Sequence, residues 1–398
     1  MTSDFLPDNE SYYQFYKEQA ELNGYYKYSC HFIPFITLPI YAEACYCILY
    51  KCKQFSPKYV TILQIHMFLH FFGEIYWTVL LLPVIVLPSI GISTEGFLSV
   101  LRISSSWQIF IMCGILQIST ATMIHLLIYR LKFAVPPDAS RAIKIGADLT
   151  NGFYYFTAIF CTCAIGFMDE DQKVAKSRII HKYLVPPPNL WEDNYVTTDR
   201  ENPNFKYYVY ITVAEIMILI INIIVVPTVS FHFLSKNRTE KSEKLAQAHK
   251  QTLQVLVFQL AIHCIFHLLP LVCFTWSAIF RTKNIALLSV GLLIWALHGA
   301  ACTLALILAN KPFRLTTATH LKTDLAAIGP YLLKSPGFVD QCQNKFSPMS
   351  LIFECFDGFV WANESADFSS VLFHKNLRMF EPEALFVCRL VTKFPRAN

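Results

Sequence analysis

Long apolar runs broken by short, basic segments organise this chain. Seven runs are long enough to cross a bilayer, whose hydrocarbon core of about 30 Å takes about 20 helical residues. They lie at about 28–50, 59–83, 105–130, 147–168, 207–234, 252–277 and 285–309. The fourth is the least apolar, because it opens on Asp148 and Asn151. Pro34, Pro39, Pro83, Pro227 and Pro270 fall in or near these runs. Neighbouring helices in a packed bundle re-satisfy the carbonyls that a proline frees, so kinks are expected rather than breaks. The predicted fold is all-α, a seven-transmembrane helix bundle over residues 28–310. Residues 1–27 precede it, a juxtamembrane helix is expected at 311–330, and an irregular or disordered tail at 331–398.

Basic residues orient the bundle. With the N-terminus outside, the inner segments carry Lys51, Lys53, Lys58, Arg130, Lys132, Arg141, Lys144, Lys236, Arg238, Lys241, Lys244 and Lys250. The short outer segments carry few, and the long one at about 169–206 offsets its cations with acids. That bias predicts an extracellular N-terminus and a cytosolic C-terminus. Asn9, in the sequon Asn9-Glu10-Ser11, would then be glycosylated, whereas Asn237 in its own sequon would face the cytosol. The acidic first 27 residues lack the features of a cleavable signal, so the first span is expected to act as one.

Composition agrees with a polytopic membrane protein. Of 398 residues, 54% are hydrophobic and only 15% charged, where a soluble chain carries about 25% charged. The net charge of +5 is spread over the loops and points to no nucleic-acid partner. Seven of the thirteen cysteines (Cys45, Cys47, Cys113, Cys161, Cys163, Cys264 and Cys302) lie inside apolar runs, and no zinc spacing is present. The long outer segment contains no cysteine. Its Val185-Pro186-Pro187-Pro188 stretch is expected to stiffen it in an extended form.

Two spans carry the chemistry. "HMFLHFFGE" puts His66, His70 and Glu74 on one helix face, and "HCIFH" does the same for His263 and His267. At about 1.5 Å per residue, His66 and His263 lie roughly 12 and 20 Å in from Lys58 and Lys250, so the two faces are placed to meet across the bundle. Three uses are open: hydrogen bonds to neighbouring helices, a ligand-contacting polar network, or a metal site. Intramembrane polar side chains face the bundle interior, and the first use is the one expected, with no metal and no cofactor. Glu74 needs a partner or a proton, with His70 the expected partner. Glu43 and Glu215 pose the same question in spans one and five.

The seventh span ends "LHGAACTLALILANKPFR". His298, Gly299, Thr303, Lys311, Pro312, Phe313 and Arg314 resemble the last helix of the nematode serpentine chemoreceptors, with phenylalanine at the usual tyrosine. The first span, its "CILYKCK" ending and His66 in the second support the match over about residues 28–320. The resemblance is to classes H and I of the Str superfamily. It implies a G-protein-coupled receptor for small environmental chemicals, in the plasma membrane of sensory neurons and their cilia. It does not extend to 331–398, which reads as an unstructured extension or a mis-joined exon. Span three ends in Tyr129 and Arg130 without the acidic residue of the rhodopsin-type motif.

Ligand candidates are Tyr76, Trp77, Trp107, Gln108, Trp276 and Trp295; for Trp107 and Trp276 the interfacial aromatic belt is an equal reading. The polar network comprises His66, His70, Glu74, His263, His267 and His298. Arg130, Lys132, Lys244, Lys250, Pro312, Phe313 and Arg314 are the candidates for meeting a heterotrimeric G protein. The expected partners are thus a small molecule, a G protein and the bilayer. A seven-span channel or transporter is the alternative; it requires an inward N-terminus or internal repeats, and no repeats are found. An intramembrane enzyme requires a complete histidine box, a Ser-His dyad or paired aspartates. None of these is found, so the chain is not read as an enzyme. The orientation predicts a glycan on Asn9 and a C-terminal tag protected from protease added to intact cells. A glycan on Asn237 instead would invert the bundle.

Overall fold

The computed structural model describes residues 6–320 except 7, 52–55, 88, 136–140, 167–169, 184, 199–201, 237–242, 281–283 and 311. Helix α1 (Asn9–Lys51) is 43 residues long, roughly twice what a bilayer core requires. Asp8 starts it: Oδ1 accepts the Ser11 N–H at 2.7 Å, and that bond holds the carboxyl below its ordinary range. α2 (Pro57–Ile75) opens on Pro57, where a missing N–H costs nothing. It continues into a π turn, Tyr76–Leu81, and stops at Leu82, whose φ of 42° is left-handed. β1 (Pro83–Val86), β2 (Ile90–Thr94) and the one-turn α3 (Phe97–Val100) lead into α4 (Ser105–Ala134).

α5 (Arg141–Gly166), the short α6 (Gln172–Lys182), β3 (Tyr195–Thr198) and α7 (Pro203–Lys236) follow. α8 (Glu243–His263) passes through a second π turn, Cys264–Leu268, into α9 (Leu269–Phe280). Pro270, in the first turn of α9, cannot donate to the carbonyls behind it, and the π turn sits at that point of weakened bonding. α10 (Ile285–Ala309) starts at Asn284, whose side chain accepts the Leu287 N–H. Residues 312–320 form one more short helix. All elements from α1 to α10 belong to one compact unit, Met1–Thr317; of the second, Ala318–Asn398, only 318–320 are described. The tail at 331–398 and Asn237 lie outside the described residues.

Helices stand at all seven predicted positions. Among the described residues, five are long and apolar enough to cross a membrane: α1, α4, α7, the α8–α9 pair and α10. α2 carries His66, His70 and Glu74, and α5 carries Asp148 and Asn151, which lowers their apolar content. About 61% of the apolar stretch of α4 and of α10 is buried, against 19% for α7. α4 and α10 are therefore central, and α7 turns most of its surface outward.

The sheet was not expected. β2 pairs antiparallel with β1 and with β3, so the long segment after α5 is pinned to the turn after α2. Gly91 permits this, since a Cβ there would overlap the Tyr195 ring. Tyr195 is buried, its hydroxyl 2.5 Å from Ser89 Oγ, and burial pushes its phenol up to about 12. The segment is thus held by strand pairing rather than by stiff prolines; Leu190 N–H bonds back to Pro187 O in a turn. The extended start of α1 clamps the same sheet. Gln19 Nε2 donates to Ile85 O at 2.9 Å, Tyr16 to Val185 O at 2.8 Å, and Lys27 pairs with Glu95.

Two apolar clusters fill the bundle. One contains Ile48, Leu63, Ile124, Leu127, Leu306 and Phe313. The other, nearer the sheet, contains Tyr26, Trp77, Leu81, Met112, Leu292 and Ala296. Phe313 is fully buried in the first. Its replacement by alanine should cost roughly 3 kcal/mol through the cavity left behind. The check is a lower thermal midpoint of the solubilised protein, with the helical content of the folded state unchanged.

Candidate functional site

Between the two apolar clusters lies a layer of polar side chains. α2 contributes His66, His70 and Glu74; α4 contributes Ser119, Thr120 and Thr122; the α8 region contributes His263 and His267; α10 contributes His298, Cys302 and Thr303. All are buried. Their order along each helix is fixed by the sequence, and the packing of four helices brings the sets to one depth.

The layer is bonded internally. His66 Nδ1 lies 2.8 Å from Thr122 Oγ1, and His66 Nε2 lies 3.0 Å from His70 Nε2. His70 Nε2 also approaches Ser119 Oγ at 3.5 Å. A second string runs from Thr120 to His263 Nε2 at 3.3 Å, and from His263 Nδ1 to His298 Nε2 at 2.8 Å. The strings meet where the His70 and His298 rings sit 4.9 Å apart. His267 Nδ1 accepts the Trp295 indole N–H at 3.1 Å. Within each His–His contact one nitrogen must carry the proton and the other must not, so every tautomer depends on its neighbours.

Glu74 does not pair with His70. Its carboxylate accepts from Thr37 and from Tyr41, the latter at 3.0 Å, both on α1. Glu43 accepts from Thr317 at 2.9 Å and from the Cys47 thiol at 3.7 Å, and Glu215 lies beside Gln117 and Cys161. Glu74 and Glu43 thus take hydrogen bonds from hydroxyl and thiol groups.

A small cavity adjoins the layer, bounded by His70, Glu74, Trp77, Met112, Trp295 and His298. The space open to the centre of a water molecule is about 20 Å³, room for a water and far below an odorant-sized pocket of about 300 Å³ or more. Trp77 and Trp295 close it on the sheet side, their rings 5.2 Å apart. Trp77 also donates to Tyr26 at 3.1 Å. Tyr76 is buried and donates to Gln108 O at 3.0 Å; the Gln108 side chain donates to Ile103 O at 2.8 Å.

Such a bundle, with its last helix bearing the His298–Gly299 pair against the second, has a counterpart among known sequences. Residues 21–323 match the family described as serpentine type 7TM GPCR chemoreceptor Srh. The chain belongs to this family. Between classes H and I, the match falls on class H. No curated protein and no solved structure gives a match. The protein is therefore a multi-pass membrane protein of a chemoreceptor family rather than of an enzyme family.

In this Srh receptor not every aromatic candidate joins the cavity. Trp107 is 62% exposed and Trp276 54% exposed, each on the outer surface against Phe110 or Phe280. Thr37, Tyr41, Ser119, Thr120, Thr122 and Cys302 are members that sequence reasoning missed. The signal for α4 was present, as the hydroxyl run Ser119–Thr122 interrupting an apolar span.

At the far end from the sheet, Arg130 lays its guanidinium over the Tyr59 ring, 3.9 Å from the centroid. Lys132 pairs with Asp148. Arg314 Nη1 donates to Leu308 O at 3.4 Å, next to Pro312 and the buried Phe313. Lys244 and Lys250 belong to α8, but their side chains lie outside the described residues. Asn9 is exposed in the first turn of α1.

Gly299 sets the contact between α10 and its neighbours. A Cβ there would lie 2.5 Å from the Tyr41 hydroxyl and 2.9 Å from His70 O. Gly299→Ala should therefore push α10 off α1 and α2, at roughly 1–3 kcal/mol of stability. A fall in thermal midpoint, with loss of surface expression in the larger Gly299→Val, checks this.

Proposed function

We propose that this Srh receptor is a chemosensory G-protein-coupled receptor, with its N-terminus outside and its C-terminus in the cytosol. Small, mostly apolar molecules reach the buried layer from the sheet end, between Trp77, Trp295 and the histidines. The observation that carries this reading is the small cavity with one polar wall, His70, Glu74 and His298, and one aromatic wall, Trp77 and Trp295. Binding sites for small ligands commonly combine apolar lining with a few convergent polar groups. Because the cavity holds only a water, a ligand must part the two tryptophans, and it binds only the state in which they are apart. That difference in affinity between two states is what a signalling ligand requires.

The basic end, with Arg130, Lys132, Lys244, Lys250 and Arg314, is the surface for a heterotrimeric G protein; Phe313, expected there too, is fully buried and anchors the short helix behind that surface. The plasma membrane of sensory neurons, and their cilia, is the site of action. The experiment is a screen of small volatile and lipophilic compounds on cells that express the full chain with a G-protein reporter. An agonist is expected. Trp77→Ala or Trp295→Ala should raise its half-maximal concentration tenfold or more, about 1.4 kcal/mol, at unchanged surface expression, whereas Trp276→Ala should not. A ligand-gated current without G-protein activation would replace this reading with the channel one.

A further inference from the structure

We propose that His70, His263 and Cys302 bind a single transition-metal ion of borderline or soft character, zinc or copper(I), inside the bundle. One donor atom from each of the three residues lies within 4.8 Å of the other two, and all three residues are buried. Tetrahedral zinc, with bonds of roughly 2.0–2.3 Å, separates its donors by roughly 3.3–3.7 Å. The donors come from three different helices, α2, α8 and α10, and must draw together by about 1 Å to reach that spacing.

The donor chemistry selects the ion. Two imidazoles and a thiol suit zinc and copper(I), and offer nothing to magnesium or calcium, which take oxygen. Three protein ligands leave the fourth position of tetrahedral zinc for water or for a donor atom of a ligand. Of the three ligands His70 borders the cavity, and His263 and Cys302 lie behind its lining.

Outer partners are also in place. His263 Nδ1 is held by His298 at 2.8 Å and His70 Nε2 by His66 at 3.0 Å. A hydrogen bond on one nitrogen of a ligating imidazole fixes its tautomer and aims the other nitrogen; at His263 that other nitrogen, Nε2, would exchange its 3.3 Å contact with Thr120 for the metal. This gives His66 and His298 a use that hydrogen bonding alone does not demand.

Charge balances as well. Binding displaces the Cys302 thiol proton, which leaves as H⁺, so the thiolate supplies one negative charge. That balances copper(I); zinc needs one negative charge more, and Glu74, which lines the same cavity as His70, is the carboxyl group in the layer. A dication in hydrocarbon needs such compensation.

The test uses the full-length receptor, purified and reconstituted without any chemosensory ligand, so it can fail while chemoreception stands. The protein is dialysed with Zn²⁺, or with Cu⁺ under reducing conditions, then against metal-free buffer, and its metal content is measured. About one retained ion per chain is expected for zinc or copper, and none for Mg²⁺ or Ca²⁺. Cys302→Ala and His263→Ala should each lower affinity at least tenfold. Should either variant fail to fold, cobalt substitution of the unaltered chain decides: a tetrahedral Co²⁺ spectrum with a sulfur-to-cobalt charge-transfer band is expected. Retention of neither zinc nor copper, or a cobalt spectrum without the sulfur band, would overturn the site.

Discussion

A polar side chain in hydrocarbon has no water to turn to, so it must find its partner in the protein. That constraint sets the arrangement of the whole bundle. The histidine layer is satisfied only when α2, α4, α8 and α10 each adopt one rotational setting. Turning α2 by one residue, about 100°, would carry His66, His70 and Glu74 away from Thr122, His263 and Tyr41 together. The apolar clusters above and below supply packing, but aliphatic contacts tolerate small rotations. The directed bonds of the layer do not, and they specify which of many similar packings is adopted.

Both π turns lie at the edge of this layer. The first begins two residues after Glu74, and the second contains His267. A π turn holds an extra residue, so side chains on its two sides face where an unbroken α-helix would not put them. In α2 it brings Trp77 round to the cavity while Thr78 bonds back to Glu74 O at 2.8 Å. In the sixth span it brings His267 against Trp295. The irregularity thus lets one helix present both histidines and an aromatic wall to the same space.

The spans were legible because length and hydropathy are local properties; α10 occupies the predicted 285–309 without change. His66, His70, Glu74, His263, His267 and His298 were legible as buried, since an ionisable group in an apolar run has few alternatives. Their partners were not. Glu74 bonds to α1, which depends on how helices pack and on nothing within span two. The β2–β3 pairing escaped notice for the same reason, because the two strands lie about a hundred residues apart in the chain and no local pattern marks them as partners. The tryptophans show the limit of residue type as a signal. Trp77 and Trp295 face inward while Trp107 and Trp276 face outward, and in helices apolar on every side the sequence marks no inner face.

α10 joins the parts that a receptor must couple. His298 and Cys302 sit in the layer, Gly299 holds the helix against α1 and α2, and Phe313 locks the turn that follows it into the far apolar cluster. A displacement of Trp295 must move His267, its hydrogen-bond partner, or tilt α10. At Gly299 there is no room for α10 to move toward α1 and α2, since a Cβ there would already meet the Tyr41 hydroxyl and His70 O. The same close approach carries His298 and Cys302, on either side of Gly299, into the polar layer.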